Sequence, residues 1–219
     1  KNLDQMKENE INIHKPFGPI IAEFKISEKT INYLNNFVDN LEKDSELRKK
    51  LDYGPMLAGQ VSEEIGVPME VAKKSIGPEL AKAITDYIYQ STGKKITKCN
   101  FIKIWIVRQF GTEYNPVHFH SGHLSGAGWL KVPSTFGKSI QKNKIHNFNG
   151  AIQFVHGSRM FNSKSTFTIT PKVGLMFLFP AYLMHQVYPF YSDEERRSIA
   201  FNANIDEDIY DVYGQKAKA

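Results

Sequence analysis

NPVHFHSGHLSGAGWLKV, residues 115–132, joins two short strand-like segments through Ser121 and Gly122 and sets His118 two residues before His120. Residues two apart on a β-strand point to the same face, so the two imidazoles can be presented to one point in space. That is half of a metal site, because imidazole binds divalent iron, zinc, copper or nickel and the strand supplies the spacing without strain. A third candidate ligand, His185, stands far downstream behind the apolar run of residues 173–179.

Outward from this stretch the strand pattern continues. From Ile96 onward helix signals vanish, and strands read at about residues 100–109, 116–121, 125–132, 150–155, 165–169, 174–179, 184–189 and 196–203, separated by Gly, Pro, Asn and Ser. About eight short strands suit a jelly roll, the double-stranded β-helix of two facing sheets. The earlier residues read differently. A short strand over residues 19–24 precedes Ser27, which can cap a helix with Ile31, Leu34, Val38 and Leu41 at helical spacing. Residues 54–66 read as loop, and a second helix starts at Pro78, carries Leu80, Ile84, Tyr87 and Ile88 on one face, and stops before Gly93. The expected fold class is therefore mainly β with flanking helices (α+β), the N-terminal helices packing outside. Residues 1–95 form the supporting segment, 96–205 the β-helix core and 206–219 the tail, all in one structural domain.

Residues 133–149 are long for a connection, rich in Lys and Asn and poor in apolar anchors, which predicts a mobile edge of the substrate pocket. Residues 215–219 should fray.

Composition narrows the classes. The chain has 219 residues, 41% of them hydrophobic and 12% aromatic, ample for a core. A net charge of +5 is mild, and no Lys/Arg run reaches the length of a nucleic-acid tract, so nucleic acid is not an expected partner. Cys99 is the only cysteine, which excludes an intrachain disulfide and a cysteine-cage zinc site and fits a reducing compartment. No stretch approaches the ~20 apolar residues of a membrane helix. The chain starts at Lys1 rather than Met, which leaves room for a preceding segment or targeting signal.

The last strand carries its own chemistry. Alternation puts Arg196, Ser198, Ala200 and Asn202 on one face and Arg197, Ile199 and Phe201 on the other. The second face reads as core against a helix. The first is small and polar, with a guanidinium suited to grip a carboxylate, unless Arg196 merely pairs with Glu194 or Glu195. His123 falls on the opposite strand face or in the turn at Gly122 and is expected either behind the metal ligands or facing the substrate, although it is the next candidate ligand after His120. His14, His146 and His156 lack a partner at ligand spacing and read as surface residues. Met176, Met184, Phe177 and Phe179 read as core.

With these residues in view, the chain resembles the iron(II)- and 2-oxoglutarate-dependent oxygenases, and among them a subgroup of small hydroxylases of bacteria and phages. Three blocks carry the likeness: residues 115–133, residues 177–189 around His185, and residues 192–202 around Arg196 and Ser198. The resemblance implies Fe(II) held by His118, His120 and His185, and O2 and 2-oxoglutarate as co-substrates. It places the distal carboxylate of oxoglutarate on Arg196 and Ser198, with Asn115 and Trp129 orienting oxoglutarate or substrate, and succinate and CO2 as products. It also implies a cytoplasmic protein of a bacterium or an infected host. One departure stands out: the superfamily at large has Asp or Glu where this chain has His120, so the ligand set loses one negative charge. Two other readings remain at this point. A cupin shares the β-helix and a His-x-His start, but Leu124 and Ser125 occupy the place of its expected glutamate. In a non-enzymatic jelly-roll binding or structural module the histidines are incidental. The substrate is not legible.

Overall fold

The structure is a computed structural model that describes residues 18–210; the expectations for His14 and for residues 215–219 lie outside the described residues. In chain order the elements are β1 (Ala22–Lys25), α1 (Glu28–Leu41), α2 (Ser45–Lys50), a 3-10 turn (Gly54–Met56), β2 (Glu63–Gly66), α3 (Met69–Lys74) and α4 (Ile76–Thr92). There follow β3 (Cys99–Gln109), β4 (Asn115–His118), β5 (Leu124–Lys131), β6 (Ile152–Val155), β7 (Thr166–Ile169), β8 (Leu175–Pro180), β9 (Met184–Val187), β10 (Arg196–Ile205) and α5 (Glu207–Tyr210). The strands form two antiparallel sheets, ordered β1-β8-β5-β10-β3-β2 and β4-β9-β6-β7. This is the mainly β jelly roll with flanking helices that the strand pattern predicts, and each of the eight expected strands is present within a few residues of its expected bounds.

The larger sheet has two unlike faces. Its outer face carries Ile104, Ile106, Met176, Leu178, Ile199 and Phe201, which join the helical residues Leu34, Val38, Leu80 and Ile84 in one core. Gly126 sits opposite Phe201 on this face, and a Cβ there would lie 2.4 Å from the Phe201 ring, so the aromatic ring occupies the space a side chain would need. Its inner face sends Trp129, Phe177 and Phe179 against Ile152 and Phe154 of the smaller sheet. Full burial of each such side chain is worth roughly 1.5–3 kcal/mol. The helices are tied together as well as packed: Ser27 caps α1 by accepting from the Thr30 N–H at 3.3 Å, and its hydroxyl donates to Glu79 of α4 at 2.6 Å. Burial, capping and the Ser27–Glu79 link all hold the helical layer against the sheet that carries the site.

Three expectations need correction. Residues 54–66 are not all loop, because Glu63–Gly66 pairs with β3 as an edge strand; two glutamates and a glycine mask its β character until the partner strand is known. The second helix begins before Pro78, at Ile76, and α2 and α3 add short turns the apolar period does not announce, α2 burying no residue. Met184 is not core but 39% exposed on β9.

Candidate active site

β4 and β9 are neighbours in the smaller sheet, with His118 opposite His185. His120 follows the end of β4, and its N–H donates to the Ala181 carbonyl at 2.9 Å. Ligand nitrogens of the three histidines lie within 4.8 Å of one another. The Pro116 and Leu183 carbonyls sit 2.7 and 2.9 Å from Nδ1 of His118 and His185. A carbonyl only accepts, so each Nδ1 carries the proton and each Nε2 keeps its lone pair for a ligand. Nε2 of His120 stands 3.2 Å from Nε2 of His185, near the roughly 3 Å expected of two nitrogens about 2.1 Å from one ion at right angles.

Electrostatics agree with this arrangement. Burial lowers the pKa of all three; His120, further depressed by His185, His118 and Lys103, falls to about 3, and His185, beside His118, to about 4. The rings are thus neutral donors at pH 7, the form that binds a metal. Trp105 meets His120 edge to face at 5.6 Å, and Phe179 meets His185 at 5.0 Å, closing the site with apolar rings.

A second feature lies along β10. Arg196 is 2% exposed, donates to Gln109 Oε1 at 2.9 Å and stands 3.4 Å from Ser198 Oγ, with its guanidinium carbon 5.7 Å from the Trp129 ring centre. No carboxylate pairs with it among the described residues. Its Nε and the indole Nε1 of Trp129 are both buried without a hydrogen-bond partner, and burial alone pulls the guanidinium down to about 9. A buried cation with no counter-charge, beside an orphaned N–H donor, is strongly destabilising unless an anion completes it. These residues fit a carboxylate ligand.

Arg197, one residue on, is already satisfied. It donates to both oxygens of Glu195 at 2.8 and 2.9 Å and to Asp39 and Asn35 of α1 at 2.8 and 3.0 Å. Glu195, pushed up by burial but held down at about 2 by Arg197 and Arg108, is therefore committed to the outer face. Glu194 binds Ser134. Neither acid neutralises Arg196.

Other candidates fall elsewhere. Asn115 lines the cavity beside the histidines, with Glu64, Lys103, Trp105 and Asn202, rather than lying beside Arg196. His123 is away from that cavity: its Nδ1 accepts from the Ile205 N–H at 3.1 Å and its ring stacks on Tyr210 at 3.9 Å, so the expectation that it faces the substrate is not met. His146 stacks on Phe148, and His156 is exposed next to the β6–β7 connection. Residues 133–149 do not line the histidine cavity either. Their ends are pinned, Phe136 packing on Phe190 and accepting from Tyr191 N–H at 3.0 Å, and Asn149 donating to Phe136 and Gly137 carbonyls. Met56, Leu57 and Ala58 form the cavity rim instead. Sequence reading missed Glu64, Lys103, Trp105 and Gln109; the alternation of residues 103, 105, 107 and 109 on β3 was an available signal, but both faces of that strand are largely apolar.

Residues 103–202, which contain all of these candidate ligands, match the family model described as "Putative 2OG-Fe(II) oxygenase". No curated protein matches the sequence. Among solved structures, a prolyl-4-hydroxylase from Pseudomonas putida is similar at TM-score 0.55 and 11% identity, covering 83% of this chain and 91% of its own. A prolyl hydroxylase from Trichoplax adhaerens, solved with a hypoxia inducible factor peptide fragment, is similar at TM-score 0.56 and 14% identity, covering 89% of this chain and 87% of its own. AviO1 from Streptomyces viridochromogenes follows at TM-score 0.54 and 12% identity over 85% of this chain and 90% of its own. At such identities these likenesses establish the shared jelly roll, while the family match selects the oxygenase over the cupin and the non-enzymatic module. Residues 103–202 of this chain thus match the iron(II)- and 2-oxoglutarate-dependent oxygenases, on a jelly roll that the solved structures share.

Proposed function

We propose that His118, His120 and His185 hold Fe(II), that Arg196 binds the distal carboxylate of 2-oxoglutarate with help from Ser198 and the Trp129 N–H, and that the cavity beside the histidines receives the substrate, a C–H bond of which is hydroxylated. The observation that carries this reading is the pairing of three converging neutral imidazoles with a buried guanidinium that has no anion. Bound Fe(II) supplies the oxidising chemistry with O2, one oxygen atom passing to the substrate and the other to succinate as CO2 leaves. The protein's contribution is positioning. Gln109 and Trp129 fix the guanidinium, the Pro116 and Leu183 carbonyls fix the tautomers of His118 and His185, and Trp105, Phe154 and Phe179 keep water from the centre.

Residues 96–205 supply this chemistry and the preceding segment supports it, contributing β1 and β2 to the same sheet. Among the described residues no helix is long and apolar enough to cross a membrane; together with the single cysteine this supports a cytoplasmic setting. Succinate released from oxoglutarate under Fe(II) and O2 tests the reading. Turnover should need both and disappear in His118→Ala and His185→Ala; full turnover in either variant would remove that residue from the centre.

A further inference from the structure

The cavity beside the histidines, about 250 Å³, is lined by an acid and a base that form no ion pair with each other. Glu64, from edge strand β2, is 2% exposed, and its Oε2 is buried with no hydrogen-bond partner. Lys103, from β3, holds its ammonium 4.7 Å from the Tyr53 ring centre and 5.1 Å from that of Trp105. Neither side chain forms an ion pair with the other, or with any other group among the described residues. Glu64 is thus out of bulk water and Lys103 partly so, and neither has a salt-bridge partner among the described residues. A buried carboxyl in that state is costly to keep ionised unless something completes it.

Resting on the oxygenase reading above, we propose that Glu64 and Lys103 recognise the two charged ends of a free α-amino acid, Glu64 accepting hydrogen bonds from its ammonium and Lys103 pairing with its carboxylate, while the side chain extends toward the histidines. The two ends of such a molecule carry the complementary charges. Burial raises the Glu64 carboxyl to about 7 against the pull of Lys103, so an ammonium arriving beside it would favour its ionised form. The amides of Asn115 and Asn202 line the same space and offer neutral hydrogen bonds. The cavity is smaller than the ~300–1,000 Å³ of pockets that enclose drug-sized ligands, which favours a compact substrate. A capped residue within a peptide chain brings neither charge and would leave both Glu64 and Lys103 uncompensated.

Calorimetric titration tests this without turnover. The twenty proteinogenic amino acids are titrated anaerobically into the full chain loaded with Fe(II) and oxoglutarate, each also as its N-acetyl and its carboxamide derivative. At least one free amino acid should bind, and N-acetylation or amidation should each weaken it tenfold or more. In Glu64→Gln the N-acetyl penalty should vanish while the amide penalty stays; in Lys103→Met the reverse should hold. A merely misfolded pocket would erase both penalties together. Binding of none of the twenty, equal binding of free and capped forms, or loss of both penalties in each variant would overturn the assignment. The oxygenase reading stands or falls separately, on oxoglutarate binding and on iron-dependent succinate formation.

Discussion

Arg196 and Arg197 are adjacent on β10, yet their guanidinium groups lie on opposite faces of one sheet, the first against Trp129 and Gln109 without an acid, the second locked between Glu195 and Asp39. Strand alternation produces this separation, and it gives two neighbouring cations different fates. Arg197 stitches α1 to the sheet. Arg196 has no acid among the described residues and, on the proposed reading, is left for a ligand.

Replacement should separate the two. Arg196→Ala removes a charge-assisted contact worth about 1.5–3 kcal/mol, so oxoglutarate affinity measured by calorimetry should fall about ten- to a hundredfold with little loss of fold. Arg197→Ala strands the Glu195 carboxylate and should destabilise the fold by about 3–5 kcal/mol in denaturant unfolding, while folded molecules retain oxoglutarate affinity. Equal affinity losses for both would contradict the assignment.

Trp129→Phe removes a buried N–H that lacks a partner while nearly keeping the ring. Unloaded protein should unfold at the same or slightly higher denaturant concentration, since no hydrogen bond is lost. Oxoglutarate affinity should drop by a factor of about ten to a hundred, the value of one hydrogen bond to a carboxylate. A calorimetric affinity equal to that of the parent would take the indole out of the carboxylate site.

Acid should weaken the metal-free protein. The folded-state pKa values of His120 and His185 are depressed to about 3 and about 4 from 6.5. As pH falls below 6.5 the unfolded chain therefore takes up protons that the folded chain refuses, and stability is lost progressively until the folded pKa values are reached. The urea midpoint of metal-free protein should be lower at pH 5 than at pH 7, and His120→Gln should flatten that slope. An unchanged slope would mean that the rings are more solvated than their burial implies.

Residues 133–149 should show two exchange rates rather than one. Amides near Phe136 and Asn149, tied to the segment around Tyr191, should be protected in hydrogen exchange, while those at residues 139–146 should exchange fast. Uniformly fast exchange would restore the mobile-edge expectation drawn from composition.

Much of this was legible before the structure. Local patterns sufficed where one strand decided the matter: the same-face spacing of His118 and His120, the alternation that parts Arg196 from Arg197, and the Ser27 cap of α1 all depend on residues a few positions apart. What escaped depends on pairing between distant segments. Glu64 enters the cavity only because β2 docks on the edge of β3, a pairing that its own four residues do not encode. Lys103 and Trp105 lie on a strand whose faces are both largely apolar, so alternation could not say which was inward. His123 was misjudged for a similar reason, because its partners Ile205 and Tyr210 lie more than eighty residues away in sequence.

The proposed ligand triad contains no carboxylate, and that has a thermodynamic corollary. Three neutral imidazoles would leave the double charge of Fe(II) without a compensating charge among the proposed ligands, whereas oxoglutarate arrives as a dianion. Each ligand then lowers the electrostatic cost of the other, and by linkage the enhancement is the same in both directions. Iron should dialyse out of the protein readily when alone and be retained when oxoglutarate is present, while oxoglutarate should bind weakly to the metal-free chain. The fraction of working enzyme in a cell would then follow the product of the two concentrations, so that iron scarcity and carbon scarcity each silence it.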